Sequence, residues 1–261
     1  NKKYMKALES ISKLQEEKAQ FLRARIFVAL KQFDSAHSLY ESLLKQQEDP
    51  ITLYYFSGLL AQMGEYSQAL EFLKKCAQLL PKDPRPILIS GNIHAFERRY
   101  AEAEQCYQQA MALGASTSAL IGLSKMAYHR REVSASLQYI EEALKKEPTH
   151  FEALICRGNL QEIQGTPEKA MTSYTQAITQ NPDTEGMGLL QIGLLSLKLG
   201  NKEKARKYLA ETFKLGNQNV AGLVALGMCY AELKDYISAR MVWEELYTIT
   251  QNPEVARNLA N

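Results

Sequence analysis

Apolar and small residues recur along the chain with the spacing of an amphipathic α-helix, in stretches separated by turn-forming residues. Leu154 and Gly158 fall on one helical face, and Ala170 and Tyr174 fall on one face of the stretch that follows. Gly165 lies between the two stretches, where glycine favours the end of a helix. The pattern predicts two helices joined by a tight turn.

The same pattern recurs about every 34 residues, which is typical of a stacked array of helical hairpins. Each recurrence carries small residues at fixed places and a bulky residue four places after an alanine. The glycines are Gly91, Gly158, Gly193 and Gly227, the alanines are Ala36, Ala69, Ala103, Ala170, Ala205 and Ala239, and the bulky residues are Tyr40, Leu73, Tyr107, Tyr174, Leu209 and Trp243. We interpret the small residues as spacers where helices lie close together, and Gly64, Gly165 and Gly200 as turns.

These residues and their spacing resemble the tetratricopeptide repeat, a helix–turn–helix unit of about 34 residues. Seven units are predicted, with starts near residues 17, 50, 84, 117, 151, 186 and 220 and an end at 252. The fourth unit departs most, because Ser124 takes the glycine place and Ser136 the first alanine place. The resemblance implies an all-α fold, a right-handed α-solenoid that winds tandem repeats into a superhelix.

The two ends of the chain are expected to extend this array. Residues 1–16 are predicted to form an N-terminal helix that packs on the first repeat, and residues 253–261 to begin a further helix or cap. The chain starts at Asn1 without methionine, which predicts a piece of a longer protein. Because neighbouring repeats share their cores, we expect one continuous body without a domain boundary.

The charge composition argues against a nucleic-acid interface and a membrane span. Thirty-one basic and 29 acidic residues give a net charge of +2, which provides no basic surface for nucleic acid. No apolar run approaches the roughly 20 residues that a spanning helix needs. The sequence therefore predicts neither partner.

Side chains with catalytic or metal-binding chemistry are scattered over separate repeats. No H-E-x-x-H or C-x-x-C motif occurs, so no catalytic, cofactor-binding or metal site is expected, and the chain is predicted not to be an enzyme. Unpaired thiols favour a cytoplasmic location. The residues concerned are His37, His94, His129, His150, Cys76, Cys106, Cys156 and Cys229.

The resemblance implies a concave groove lined mainly by the first helix of each repeat, and it places two sets of partner-binding residues there. The front set mixes aromatic and polar side chains suited to an extended peptide that carries acidic residues: Tyr54, Asn92, Phe96, Lys125 and Tyr128. The back set forms an apolar strip suited to an amphipathic helix: Met187, Leu190, Leu194, Leu197, Val224 and Met228. Burial by the chain itself and self-association are the alternatives for the strip.

These features predict a non-catalytic scaffold or adaptor that binds a protein or peptide partner within a multi-component assembly. One alternative is an assembly factor or chaperone for a bacterial secretion or pilus system. Another is the regulatory arm of an enzyme whose catalytic domain lies outside this chain.

Overall fold

The computed structural model describes residues 17–181, 185–216 and 219–255. The helix predicted over residues 1–16 lies outside this part of the chain, and so do residues 256–261 of the predicted C-terminal cap.

The described residues form fourteen α-helices and no β-strand, which confirms the predicted all-α class of tandem helix–turn–helix repeats. The first helices of the repeats are α1 Glu17–Ala29, α3 Pro50–Met63, α5 Arg85–Phe96, α7 Ser116–His129, α9 Phe151–Ile163, α11 Glu185–Lys198 and α13 Val220–Glu232. The second helices are α2 Phe33–Gln46, α4 Tyr66–Leu79, α6 Tyr100–Ala112, α8 Val133–Lys146, α10 Pro167–Gln180, α12 Lys202–Lys214 and α14 Tyr236–Thr250. Each first helix begins within one residue of the start expected from the sequence.

The helices divide into two compact units, Asn1–His129 and Arg130–Asn261, whereas the sequence predicted one continuous body. The division falls between α7 and α8, inside the fourth repeat. Ser124 and Ser136, which replace glycine and alanine in this repeat, are both buried. In the sequence, the division coincides with the repeat that departs most from the shared pattern of glycine and alanine.

Within each unit, the core of a hairpin depends on a small residue at the eighth place of the repeat and a bulky residue at the twenty-fourth. A Cβ added to Gly91 would lie 2.9 Å from Cε1 of Tyr107, and one added to Gly227 would lie 2.6 Å from Cε2 of Trp243. Contacts this short do not occur between unstrained carbon atoms, so the absence of a side chain is what admits the ring. The eighth-place residues are all buried: Ala24, Ser57, Gly91, Ser124, Gly158, Gly193 and Gly227.

The turn between the two helices has the same backbone conformation in every described repeat. The residue at the fifteenth place has positive φ, and Gly64, Gly165 and Gly200 serve this role as predicted, with φ of 86°, 72° and 77°. In the other four repeats a cationic residue adopts this conformation: Lys31, Arg98, Arg131 and Lys234. The turn geometry therefore persists where glycine is missing.

A buried tyrosine is held in its own hairpin by a glutamate that also contacts the next hairpin of the second unit. The Tyr174 hydroxyl lies 2.5 Å from Oε1 of Glu162 and 2.7 Å from Oδ1 of Asn159. The Lys198 Nζ donates to Oε2 of the same Glu162 at 2.8 Å. Burial, reinforced by the Glu162 carboxylate, raises the pKa of Tyr174 well above its usual range, so the phenol keeps its proton and donates it. The ring cannot move aside without breaking these bonds.

We predict that Gly158→Ala lowers the free energy of unfolding by about 1–3 kcal/mol, because the new methyl group would overlap the fixed ring of Tyr174. Gly58→Ala is the matched control, since a Cβ at that helical glycine meets no atom within 4 Å. Alanine favours helix over glycine, so the control should be neutral or stabilising by about 0.5–1 kcal/mol. Urea unfolding followed by circular dichroism measures both values, and equal effects of the two substitutions would contradict the spacer role.

Candidate functional site

The front set lies on three successive first helices of the first unit. Tyr54 is on α3, Asn92 and Phe96 are on α5, and Lys125 and Tyr128 are on α7; α5 packs directly against both α3 and α7. The side chains of Phe96 and Tyr128 are 71% and 45% exposed, and Asn92 and Lys125 are also exposed. Tyr54 is half-buried. All five residues of the front set therefore lie on first helices of the same unit.

The ring of Tyr54 is held by an arginine that is itself committed to an ion pair. The Arg85 guanidinium carbon lies 5.3 Å from the centroid of the Tyr54 ring. The Arg85 side chain also donates three hydrogen bonds to the Asp83 carboxylate, from Nε at 2.9 Å to Oδ1 and 3.0 Å to Oδ2, and from Nη2 at 2.6 Å to Oδ2. These bonds hold the pKa of Asp83 below its usual range. Arg85 therefore orients Tyr54 while its charge is balanced within the chain.

Asn92 and Phe96 each contact an aromatic residue of a second helix. The Tyr107 hydroxyl donates to Oδ1 of Asn92 at 2.9 Å, so the hairpin uses the amide oxygen. The rings of Phe96 and Tyr66 have centroids 5.3 Å apart and are tilted by 49°. Despite this contact, most of the Phe96 ring stays accessible. Phe96 is consequently the most exposed aromatic side chain of the front set.

The back set is not the open apolar strip expected from the sequence. Leu190 is only 6% exposed and belongs to the core of the second unit, so its predicted place in the groove is wrong. The reason is a glycine in the following repeat: a Cβ on Gly222 would lie 2.6 Å from Cδ1 of Leu190. That close approach buries the leucine between α11 and α13.

The other members of the back set differ in exposure. Leu194, Leu197 and Val224 are partly buried and pack against the same core. Met187 and Met228 are 57% and 46% exposed. The accessible part of this surface is therefore two flexible methionine side chains with an apolar border.

A cavity of about 360 Å³ lies in the first unit over Gly58, a residue that the sequence analysis did not select. Its lining comes from α1, α2, α3 and α5 and consists of Arg25, Val28, Ala29, Tyr40, Tyr54, Tyr55, Gly58, Leu59, Gln62 and Ile89. The sequence carries a signal for it, because Ser57 already fills the small eighth place and Gly58 follows one place later. A helical glycine outside the spacer place indicates some other requirement for space.

An apolar surface on α14 is a second feature that was not predicted from the sequence. Ile237 and Met241 are 80% and 63% exposed, and Tyr236 beside them is exposed as well. In the other repeats the eighteenth place, which Ile237 occupies here, holds Asp34, Ser67, Ala101, Ser134, Glu168 and Glu203. The twenty-second place, which Met241 occupies here, holds Ser38, Glu71, Gln105, Gln138, Thr172 and Lys207. All of these residues are polar or alanine. Comparison between repeats is the signal that singles out this helix.

The side chains with acid–base or nucleophilic chemistry include two cysteines and one histidine whose pKa is shifted by burial. Burial raises the pKa of the Cys76 and Cys229 thiols, so both stay protonated and weakly nucleophilic at neutral pH. Burial and the nearby Arg99 lower the pKa of His94, which keeps its imidazole neutral. Over the described ranges, no group of three or more histidine, cysteine, aspartate or glutamate side chains is placed to hold a metal ion.

A helix that crosses a membrane must be both long and apolar. Over residues 17–181, 185–216 and 219–255, no helix combines the length and the apolar character that crossing a lipid bilayer requires.

Comparison with known proteins agrees with the repeat pattern. Two family models described as tetratricopeptide repeat match, one over residues 21–84 and 130–184 and the other over residues 188–215. A DnaJ homolog subfamily C member 7 homolog from Dictyostelium discoideum is 23% identical over 238 residues, which cover 82% of this chain and 42% of the relative. The chain spans less than half the length of the curated relatives that it matches.

Solved structures show the same fold at low sequence identity. Yeast Tom70 superposes with a TM-score of 0.78 at 16% identity, over 99% of this chain and 56% of that protein. PilW, described as a type IV pilus biogenesis factor, superposes with a TM-score of 0.59 at 14% identity, over 78% of this chain and 96% of that protein. The family models match more than half of the chain, and the spacing of the buried residues agrees with them. The chain belongs to the tetratricopeptide repeat family.

Proposed function

We propose that this chain is a non-catalytic scaffold that binds a protein partner through the first helices of its repeats. The observation that carries the proposal is the exposure of large side chains at places that the hairpin packing does not use. Phe96 and Tyr128 occupy such places in the first unit, and Met187 and Met228 do so in the second. Tetratricopeptide repeat proteins generally mediate protein–protein interaction, in agreement with this proposal.

The two surfaces suit partner segments of different chemistry. In the first unit, Phe96 and Tyr128 offer aromatic contact area with little conformational entropy to lose, and Lys125 and Asn92 lie on the same two helices. This combination favours an extended peptide with acidic residues. In the second unit, the flexible thioethers of Met187 and Met228 favour the apolar face of a helix.

The charge and the cysteines support a protein partner in a reducing compartment. A net charge of +2 provides no electrostatic footprint for nucleic acid, so we propose no nucleic-acid partner. None of the four cysteines, all of which lie among the described residues, forms a disulfide bond, which favours the cytoplasm.

The two alternative roles stay predictions without a specific observation in their favour. The likeness to PilW concerns the fold alone and gives no evidence of pilus assembly by this chain. A regulatory arm of an enzyme is compatible with a chain that spans less than half of its curated relatives. Both alternatives still use the first helices as a binding surface.

We predict that the double variant Phe96→Asp, Tyr128→Asp reduces partner capture from the native host at least about tenfold, because a carboxylate replaces each apolar contact. Leu79→Asp on α4 is the control, since Leu79 is also exposed but lies on a second helix. Capture is quantified by mass spectrometry, and circular dichroism checks that both variants keep their helicity. Full capture by the double variant would remove the front surface from the proposal.

For the second unit, we predict that Met187→Glu with Met228→Glu abolishes binding of a helical partner and leaves the melting temperature within about 2 °C, because exposed residues contribute little to stability. Leu215→Glu is the matched control, as Leu215 is 53% exposed but directly follows the second helix α12. Capture experiments with the full chain compare the three proteins. A large fall in melting temperature of the double variant would show that the methionines belong to the core instead.

A further inference from the structure

Gly58 lies in the interior of α3, where glycine destabilises a helix relative to alanine. Other helical glycines of this chain have a packing reason, because a Cβ on Gly91 or Gly227 would overlap a ring. At Gly58 an added Cβ meets no atom within 4 Å, and its φ is not in the left-handed region. It is also the one glycine at the ninth place of the seven repeats. Neither helix packing nor backbone conformation explains this glycine.

What Gly58 leaves open is the cavity of about 360 Å³ in front of it. Ligand pockets range from about 300 to 1,000 Å³, so this volume suits an amino-acid side chain better than a large cofactor. The walls are the rings of Tyr54 and Tyr55 with aliphatic groups of Val28 and Ile89. The two rings contact each other edge to face, with centroids 5.4 Å apart at an angle of 86°. The cavity is therefore an apolar recess with aromatic sides.

One wall of the recess carries a positive charge that the described residues do not neutralise. The Arg25 guanidinium carbon lies 4.7 Å from the centroid of the Tyr55 ring, which orients the planar group by stacking. Within residues 17–181, 185–216 and 219–255, Arg25 forms no ion pair, and the cavity lining contains no carboxylate. Arg85, by contrast, has its charge balanced by Asp83. The recess therefore complements a group with negative charge.

We propose that this recess, which we call the Gly58 pocket, anchors one large apolar side chain of a partner peptide, and that Arg25 pairs with a carboxylate on an adjacent residue of that peptide. The inference rests on the proposed function and specifies the chemistry of the partner. Gly58 supplies the space, Tyr54 and Tyr55 supply the walls, and Arg25 supplies the charge. A peptide with a large apolar residue beside aspartate or glutamate would fill the space, contact the aromatic walls and pair with the charge.

The test begins with random 12-residue peptides displayed on phage and selected on the full chain. We expect the selected peptides to share an aromatic or large aliphatic residue within two positions of aspartate or glutamate. Their affinities, measured by fluorescence polarisation, should fall at least about tenfold for Gly58→Leu, which fills the pocket, and less than about twofold for Gly58→Ala. Gly58→Leu should keep or raise the melting temperature, because leucine is the better helix former.

The charge is tested separately with Arg25→Gln and its control Arg98→Gln, a change at an exposed arginine in a turn. Arg25→Gln should weaken the selected peptides about tenfold, as expected for the loss of a charge-assisted hydrogen bond, and Arg98→Gln should have no effect. In Arg25→Glu, replacing the acidic residue of the peptide by lysine should restore binding. Restoration identifies the carboxylate as the partner of Arg25.

Different results separate this inference from the proposed function. Peptides weakened by Phe96→Asp and Tyr128→Asp but not by Gly58→Leu would overturn the Gly58 pocket and leave the scaffold function intact. A selection that returns no peptide sensitive to either change would overturn both. A clear fall in the melting temperature of Gly58→Leu would show that the chain itself fills the cavity, which also overturns the inference.

Discussion

The contact between a small residue at the eighth place and a bulky residue at the twenty-fourth place of the repeat governs the packing within each unit. Where the small residue is glycine, the neighbouring ring or leucine occupies the position that a Cβ would need, as for Gly193 and Leu209. This close approach brings the two helices of a hairpin together and commits the same face of each first helix to the core. The remaining positions of the first helices are then free to vary, and the candidate binding residues are drawn from them.

Residue spacing was sufficient to predict most of the fold because the packing contact repeats with a constant period. The helix starts, the left-handed turns at Gly64, Gly165 and Gly200 and the burial of the spacers all follow from this periodicity. The division into two units does not, because it breaks the regularity that the prediction assumes. Only the serines of the fourth repeat hinted at it.

The candidate site was less predictable, because exposure depends on neighbours from other repeats. Leu190 occupies a groove place in its own repeat, but Gly222 in the next repeat leaves room that buries it. Asn92 was assigned to the front set, although its amide oxygen accepts a hydrogen bond from Tyr107 of the same repeat. Residue types and their spacing do not record such contacts. Gly58 was overlooked for a related reason, since the cavity over it is lined by residues of four helices.

The cationic residues in the left-handed turns make hairpin stability depend on ionic strength. Lys31, Arg98 and Lys234 adopt a conformation that costs a residue other than glycine about 1–2 kcal/mol. Each lies two residues after the last residue of a first helix. A positive charge there interacts favourably with the helix dipole by about 0.3–1 kcal/mol at low ionic strength. Salt screens this favourable interaction with the helix dipole, whereas a glycine in the turn has no charge whose interaction could be screened. Hairpins of otherwise similar packing will therefore differ in how strongly salt loosens them.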